Sequence, residues 1–413
     1  MNPPQAPQIN TPHIAPHDQP APRKSNALIY AALIAVSAIG PLALNMFMPS
    51  IPGLVKDLNT TSGMAQLTLT LFLIGTAISQ LVYGPLSDRF GRRPILLGGL
   101  VIFIFSSIAC AYATSIEALI AARLVQSFGG AAGMVLSRAI IRDLHDERSA
   151  ASVIGYITMA WALAPMVAPI IGGYLDQYYS WRASFLLLTV LGIFALALAT
   201  FLLPETNQTR GVTTGERRLV AYQRLVTNKR FLGLVATLSF STAVFFSFLG
   251  GAPFLTINYL GLTTLDYGVW YIVISLGYVS GNFVAGRLSQ KLGTNKMILA
   301  GIIISITGAT IAFAAGISGH LTAAWFFYPM AIIAIGNGIT LPNAMSATLS
   351  ADPKAIGAAA GLAGFIQSLI GAAAAQIVGI TQTSIPLIVI WFMFFGAILA
   401  GLSYWLIGRE NRS

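Results

Sequence analysis

Apolar positions fall into runs of helix-spanning length, and polar positions collect in the short breaks between them. LTLTLFLIGTAISQLVY at 67–83 and ILLGGLVIFIFSSIACAYA at 95–113 are two such runs. About twenty apolar residues are what an α-helix needs to cross the hydrocarbon core of a bilayer. Twelve runs of this kind can be drawn, at 27–49, 64–83, 95–113, 117–138, 150–175, 182–203, 231–257, 267–286, 297–317, 322–348, 355–380 and 385–408. Glycine and proline recur inside them, which bilayer helices tolerate because neighbouring helices can take up the freed backbone groups. The pattern predicts an all-α membrane protein of twelve transmembrane helices. One polar break is long, ETNQTRGVTTGERRLVAYQRLVTNKR at 205–230, and it divides the spans six and six. The expected organisation is a tail at 1–25, one six-helix bundle at 26–203, a linker at 204–230, a second bundle at 231–408 and a short tail at 409–413.

Composition agrees with this reading, since 56% of residues are hydrophobic and mean hydropathy is +0.76, more apolar surface than one soluble core can hide. The net charge of +10 raises the question of nucleic acid, and the placement of the basic residues answers it. With the N-terminus in the cytoplasm, 20 of the 23 Lys and Arg lie in the tails or on one side's loops, leaving Lys56, Arg123 and Arg182 elsewhere. That is the positive-inside asymmetry, so both termini are expected in the cytoplasm and the basicity is topological. The lone Cys110 excludes disulfides and cysteine metal sites, and reads as a small buried hydrophobe. The Pro-rich first 25 residues read as a disordered tail, in which His13 and His17 stand at helical spacing where no helix is expected, so no metal site is assigned. No phosphate-binding loop appears, so a gradient rather than ATP is the expected energy source, with no cofactor.

The two halves echo one another. GPLSDRFGRRPILLGG at 84–99 and GRLSQKLGTNKMILAG at 286–301 match at six positions sharing an offset of 202, including Gly84 with Gly286 and Gly91 with Gly293. A parallel six-span repeat implies two similar bundles about an axis along the membrane normal, with a cavity between them. Gly84, Leu86, Asp88, Arg89, Gly91, Arg92 and Arg93 resemble the loop signature of the major facilitator superfamily. RLVQSFGGAAG at 123–133 is similar to that superfamily's fourth-helix motif, and APMVAPIIGG at 164–173 looks like its fifth-helix antiporter motif, with Ala168-Pro169 where Gly-Pro is usual. PLALNMFMPSIP at 41–52, SRAIIRD at 137–143, NGITLPNAMS at 337–346 and GLAGFIQSLIGA at 361–372 further resemble the bicyclomycin and chloramphenicol resistance family of bacterial drug:proton antiporters. The resemblance implies the major facilitator fold in a bacterial inner membrane and a monomer that exports small amphipathic molecules in exchange for protons. A proton-independent carrier of a metabolite is the other reading.

The charged stretch then has a physical role. Asp88, at the end of the second helix, can lie against the positive N-terminal dipole of the eleventh, which SADPKAIGAAAGLAG opens with Asp352 as N-cap and Pro353 at the first helical position. Gln290 replaces the acid in the second copy, so one such latch exists, and Gly84, Asp88, Arg89, Gly91, Arg92 and Arg93 are assigned to gating. Ala164, Ala168, Gly172 and Gly173 allow close helix approach while Pro165 and Pro169 weaken the backbone ladder, and the resemblance implies that Pro165, Pro169, Gly172 and Gly173 seal the cavity against leak.

The acids carry the main departure from the family. None of the thirteen lies near the middle of a span, and where the family typically carries an acid in its first helix this chain has Asn45. An amide cannot titrate, which leaves Glu117 or Asp88 to take a proton. Arg123 is the one charge well inside a span, at a depth similar to Asn45, and an intramembrane arginine is a functional residue by default. Asn45, Arg123, Gln126, Met159, Phe245, Phe248, Asn337 and Gln367 are assigned to the substrate cavity, whose positive potential should favour neutral, zwitterionic or acidic molecules. A membrane-embedded enzyme would need catalytic pairs or metal ligands within the bilayer, and no such set occurs.

Overall fold

The structure, a computed structural model, describes residues 25–144, 164, 166–207, 222–352 and 356–410, and among these no strand occurs. The expected tail, most of the linker, the first part of the fifth span and with it Met159 and Pro165 lie outside the described residues.

The helices are α1 (Ser25–Met46), α2 (Ile51–Asp57), α3 (Ser62–Phe90), α4 (Arg92–Ala111), α5 (Ile116–Leu144), α6 (166–178), α7 (Trp181–Leu202), a short α8 (222–227), α9 (Lys229–Phe254), α10 (Thr264–Leu292), α11 (Thr294–Ile317), α12 (Ala323–Leu349), α13 (Ile356–Thr381) and α14 (Ile388–Glu410). Eleven segments of the described residues are long and apolar enough to span a membrane, and α6 lies on the remaining run, the fifth. Pro49 and Pro52 stand where α1 gives way to a 3-10 turn at Met48–Ser50 and then to α2, so the first span is extended by a bent segment. Helices α1, α3, α4, α5 and α7 pack on one another, as do α9 to α14, and the chain has the twelve-helix, two-bundle fold.

Helices run further than the apolar runs indicate. The stretch 84–94 reads from sequence as a loop, yet α3 continues through Pro85, Asp88 and Arg89 to Phe90 and α4 starts at Arg92. The whole corner is Gly91, whose φ of 104° is open to glycine and strained for other residues. Its repeat mate Gly293 turns the chain between α10 and α11 in the same way, at φ 84°. Polar side chains beyond the hydrophobic stretch therefore stay helical, because each helix projects past the apolar zone before it turns.

Across the two halves, α3 and α13 run antiparallel and in close contact. A Cβ on Gly63 would meet Ile380, one on Gly364 would meet Gln80 at 2.9 Å, and Thr70 Oγ1 donates to Gln376 Oε1 at 2.7 Å. Carried eight residues beyond the Gln80 and Gly364 pair, this register puts Asp88 level with Ile356 at the start of α13. Asp352, just before it, lies 3.5 Å from Arg224 on α8, and residues 353–355 are outside the described set.

Candidate functional site

Arg123 sits two turns into α5 with none of its surface exposed. Its Nη1 donates to the Ala43 carbonyl of α1 at 3.1 Å and to Gln126 Oε1 at 2.6 Å. Gln126 in turn donates to Ser107 Oγ on α4 at 2.7 Å, and Ser107 donates to the Phe103 carbonyl. Three rings surround the guanidinium, with centroids 4.3 Å (Phe72), 5.3 Å (Phe47) and 5.6 Å (Phe185) from its carbon. Its Nε and Nη2 have no hydrogen-bond partner, and among the described residues no carboxylate pairs with it. Aromatic faces and one carbonyl thus stand where a counter-ion would be expected, and cation–π attraction offsets only part of the desolvation.

Asn45 shares the depth of this cage. It is buried, its Nδ2 donates to the Pro41 carbonyl at 2.9 Å, and its Oδ1 is unpartnered. Pro41 lies inside α1, which runs on through it to Met46.

In the second half two assigned amides converge on adjacent residues of α9. Asn337 of α12 donates to the Ser241 carbonyl at 3.1 Å, and Gln367 of α13 donates to Thr242 Oγ1 at 2.6 Å. Phe245, one turn on, is partly exposed beside Phe246. Phe248 is fully buried, its ring stacked on Phe326 at 5.4 Å and edge-on to Phe327. It belongs to the packing of α9 against α12 and α10, where Tyr267 and Tyr271 are also buried with unpartnered hydroxyls.

At the basic end, Arg92 bridges Asp88 and Asp143 and also donates to Ser87 Oγ. Glu205 caps α4, accepting from the Arg92 and Arg93 backbone amides at 2.9 and 3.2 Å, where the helix dipole favours a carboxylate. Asn207 Nδ2 donates to the carbonyls of Ser87 and Asp88, and Arg93 donates to the Thr200 carbonyl. Arg89 is exposed over the Phe90 ring, and a Cβ on Gly84 would meet nothing within 4 Å. Sequence alone pointed to the arginines and missed Glu205, Asp143 and Asn207, because their partners lie on other helices. The one local signal was Glu205 standing directly after an apolar run.

At the opposite end the halves close on one another. Thr264 Oγ1, at the start of α10, donates to the Gly173 carbonyl of α6 at 3.2 Å. A Cβ on Gly268 would fall 2.6 Å from the Pro169 carbonyl oxygen and 2.8 Å from Ile170 Cα, while within the first half one on Gly172 would overlap the Met46 carbonyl of α1. Asp176, beyond the apolar run, is half-buried beside Gly53, Ser50 and Thr264. Burial lifts its carboxyl above the ordinary range, and the neighbouring hydroxyls pull the other way.

The comparisons match this architecture. The family model of the Major Facilitator Superfamily covers residues 33–375. A bicyclomycin resistance protein homolog of Haemophilus influenzae is 30% identical over 397 residues, covering 94% of this chain and 98% of the relative. Multidrug resistance protein D of Escherichia coli is 28% identical, covering 84% of this chain and 87% of its own length. Among solved structures, a bacterial homolog of the human lysosomal transporter Spinster, in an inward-facing and unoccupied conformation, superposes with a TM-score of 0.75 at 16% identity over 94% of this chain and 98% of that one. With its repeat, its glycine corners and its two bundles, the chain belongs to the Major Facilitator Superfamily and is a multi-pass membrane transporter, not an enzyme.

Proposed function

We propose that the protein is a secondary active efflux transporter of a bacterial inner membrane, exporting small amphipathic molecules by alternating access in exchange for protons. It works as a monomer with both termini in the cytoplasm. The reading is carried by one observation: at the end opposite the basic face α6 and α10 meet across the halves, with Gly173 and Gly268 set against the other helix's backbone and the Thr264 hydroxyl donating to the Gly173 carbonyl. Contacts of that kind can be made or broken as a unit by a rigid-body rotation. Relatives named for resistance to bicyclomycin, chloramphenicol and multiple drugs supply the substrate class.

In this proposal Asn45, Arg123, Gln126, Met159, Phe245, Phe248, Asn337 and Gln367 contribute to the substrate cavity or its walls. Asp88, with Gly84, Arg89, Gly91, Arg92 and Arg93, latches the cytoplasmic side against the start of α13, and Pro165, Pro169, Gly172 and Gly173 seal the periplasmic side. A proton-independent carrier of an endogenous metabolite is the second reading, favoured by the amide at Asn45 where a titratable group is expected. Counterflow of chloramphenicol-like compounds in proteoliposomes, with and without an imposed pH gradient, separates the two. Flux that accelerates with the gradient supports exchange for protons; flux indifferent to it supports the carrier, and no flux of any tested drug refutes the efflux reading.

A further inference from the structure

Two glutamines meet across the halves at the end opposite the basic face, and closure treats them in opposite ways. On α3, Gly63, Gln66 and Thr70 follow one another at spacings of three and four residues, so they share one helical face, and that face is turned to α13. Gln376 of α13 engages the two outer members. Its Nε2 donates to the Gly63 carbonyl at 3.0 Å, and its Oε1 accepts from Thr70 Oγ1 at 2.7 Å. A backbone carbonyl can only accept, so the orientation of this amide is settled and both of its ends are used across the halves.

Gln66, between those two partners, is wholly buried, and neither its Nε2 nor its Oε1 has a hydrogen-bond partner. Its side chain crosses into the second half, where two glycines make room for it. A Cβ on Gly379 of α13 would overlap the Gln66 stem, and one on Gly250 of α9 would fall 3.2 Å from Gln66 Nε2. The amide is thus closely packed by the other half and bonded by none of it. A desolvated amide with donor and acceptor both unmet raises the free energy of the state that buries it, and parting α3 from α13 would return both ends to water.

We propose that Gln66 and Gln376 are an opposed pair that sets the poise of the periplasmic gate: Gln376 favours closure through its two bonds across the halves, and Gln66 favours opening because closure leaves its amide unbonded. The proposal rests on alternating access and deepens it by naming what keeps this gate reversible. Close glycine contacts hold the halves together here, at α6 with α10 and at α3 with α13. An exporter must part them in every cycle, and Gln66 supplies a standing bias against a gate that stays shut. Both glutamines are positioning residues of the gate, acting on the balance of states rather than on the cargo.

The test is a distance measurement on the full-length protein in lipid nanodiscs. Spin labels at Tyr112→Cys and Tyr259→Cys report the separation of the halves at this end, since both positions are exposed and the native Cys110 is buried. Gln376→Met should lower the closed-to-open ratio roughly 5- to 150-fold, the range that two neutral hydrogen bonds supply. Gln66→Met, an apolar side chain of like length that still fills the glycine notch, should raise the ratio by a similar factor. The deciding protein carries both changes: its Gln376→Met parent populates the open state, so a return toward closure on adding Gln66→Met is readable even where the wild type is almost wholly closed. Gln66→Leu should act in the same direction and replaces Gln66→Met if that variant does not fold. A double variant as open as Gln376→Met, or more open, overturns the opposed pair while leaving alternating access intact, and so does a Gln376→Met protein as closed as the wild type while chloramphenicol still moves the distance. A distance fixed in every variant, with chloramphenicol present or absent, overturns both.

Discussion

Gly268→Ala measures how tightly the two halves are held at the end opposite the basic face. The new Cβ would fall 2.6 Å from the Pro169 oxygen, 2.8 Å from Ile170 Cα and 3.0 Å from the Pro169 carbonyl carbon, all backbone atoms of the other half. Ordinary contact begins near 3.4 Å, so α6 and α10 must part by about 0.8 Å at this point, with no side chain free to yield. Overpacking of this kind costs about 1–3 kcal/mol. Because the strain exists only in the state where these helices touch, it moves the closed-to-open ratio by roughly 5- to 150-fold toward open. The readout is a cysteine at Thr70, 7% exposed at the interface of the halves, with the buried Cys110 as an unreactive background. A membrane-impermeant maleimide added from the periplasmic side should label Thr70→Cys at least severalfold faster in the Gly268→Ala background. The control is Gly129→Ala, where the clash is with Phe103 N at 2.6 Å and Gly99 O at 2.7 Å inside one half; it should lower thermal stability without changing labelling. Equal labelling rates and equal efflux in Gly268→Ala and its parent would refute the assignment of the α6–α10 contact as a gate.

Three further outcomes are expected. Arg123→Met should raise thermal stability by about 1 kcal/mol or more, since a desolvated cation with two unpartnered nitrogens gives way to a hydrophobe of similar length, yet efflux should be lost; retained efflux would make the cage purely structural. Asn45→Asp should place a titratable carboxylate at the depth of Arg123 and widen the spectrum toward fixed cations, read as ethidium export from inverted vesicles, and efficient ethidium export by the parent would contradict the reasoning. Asp88→Asn should leave the fold in place, because its Arg92 pair is partly exposed and Arg92 keeps Asp143, while slowing transport severalfold by weakening cytoplasmic closure; unchanged transport would remove Asp88 from the gate.

How much of this was legible beforehand differs by residue. The spans and the membrane class follow from hydropathy, because each helix satisfies its own backbone in lipid and so declares itself locally. The halves were visible as an offset of 202, and Gly91 and Gly293 bear it out as the same corner made twice. Arg123 was conspicuous as the one charge deep in a span. What surrounds it was not, because Phe72 and Phe185 come from α3 and α7 and Phe47 from the turn that ends α1, and how these elements rotate toward one another is set by packing. The same reason hid the convergence of Asn337 and Gln367 on α9, the Glu205 cap on α4, and the setting of Asp176. An apolar run fixes where a helix lies along the membrane normal. Which of its faces meets which neighbour, and hence whether a polar group is paired, caged or left unsatisfied, is decided only when the helices close on one another across distances of a hundred residues and more.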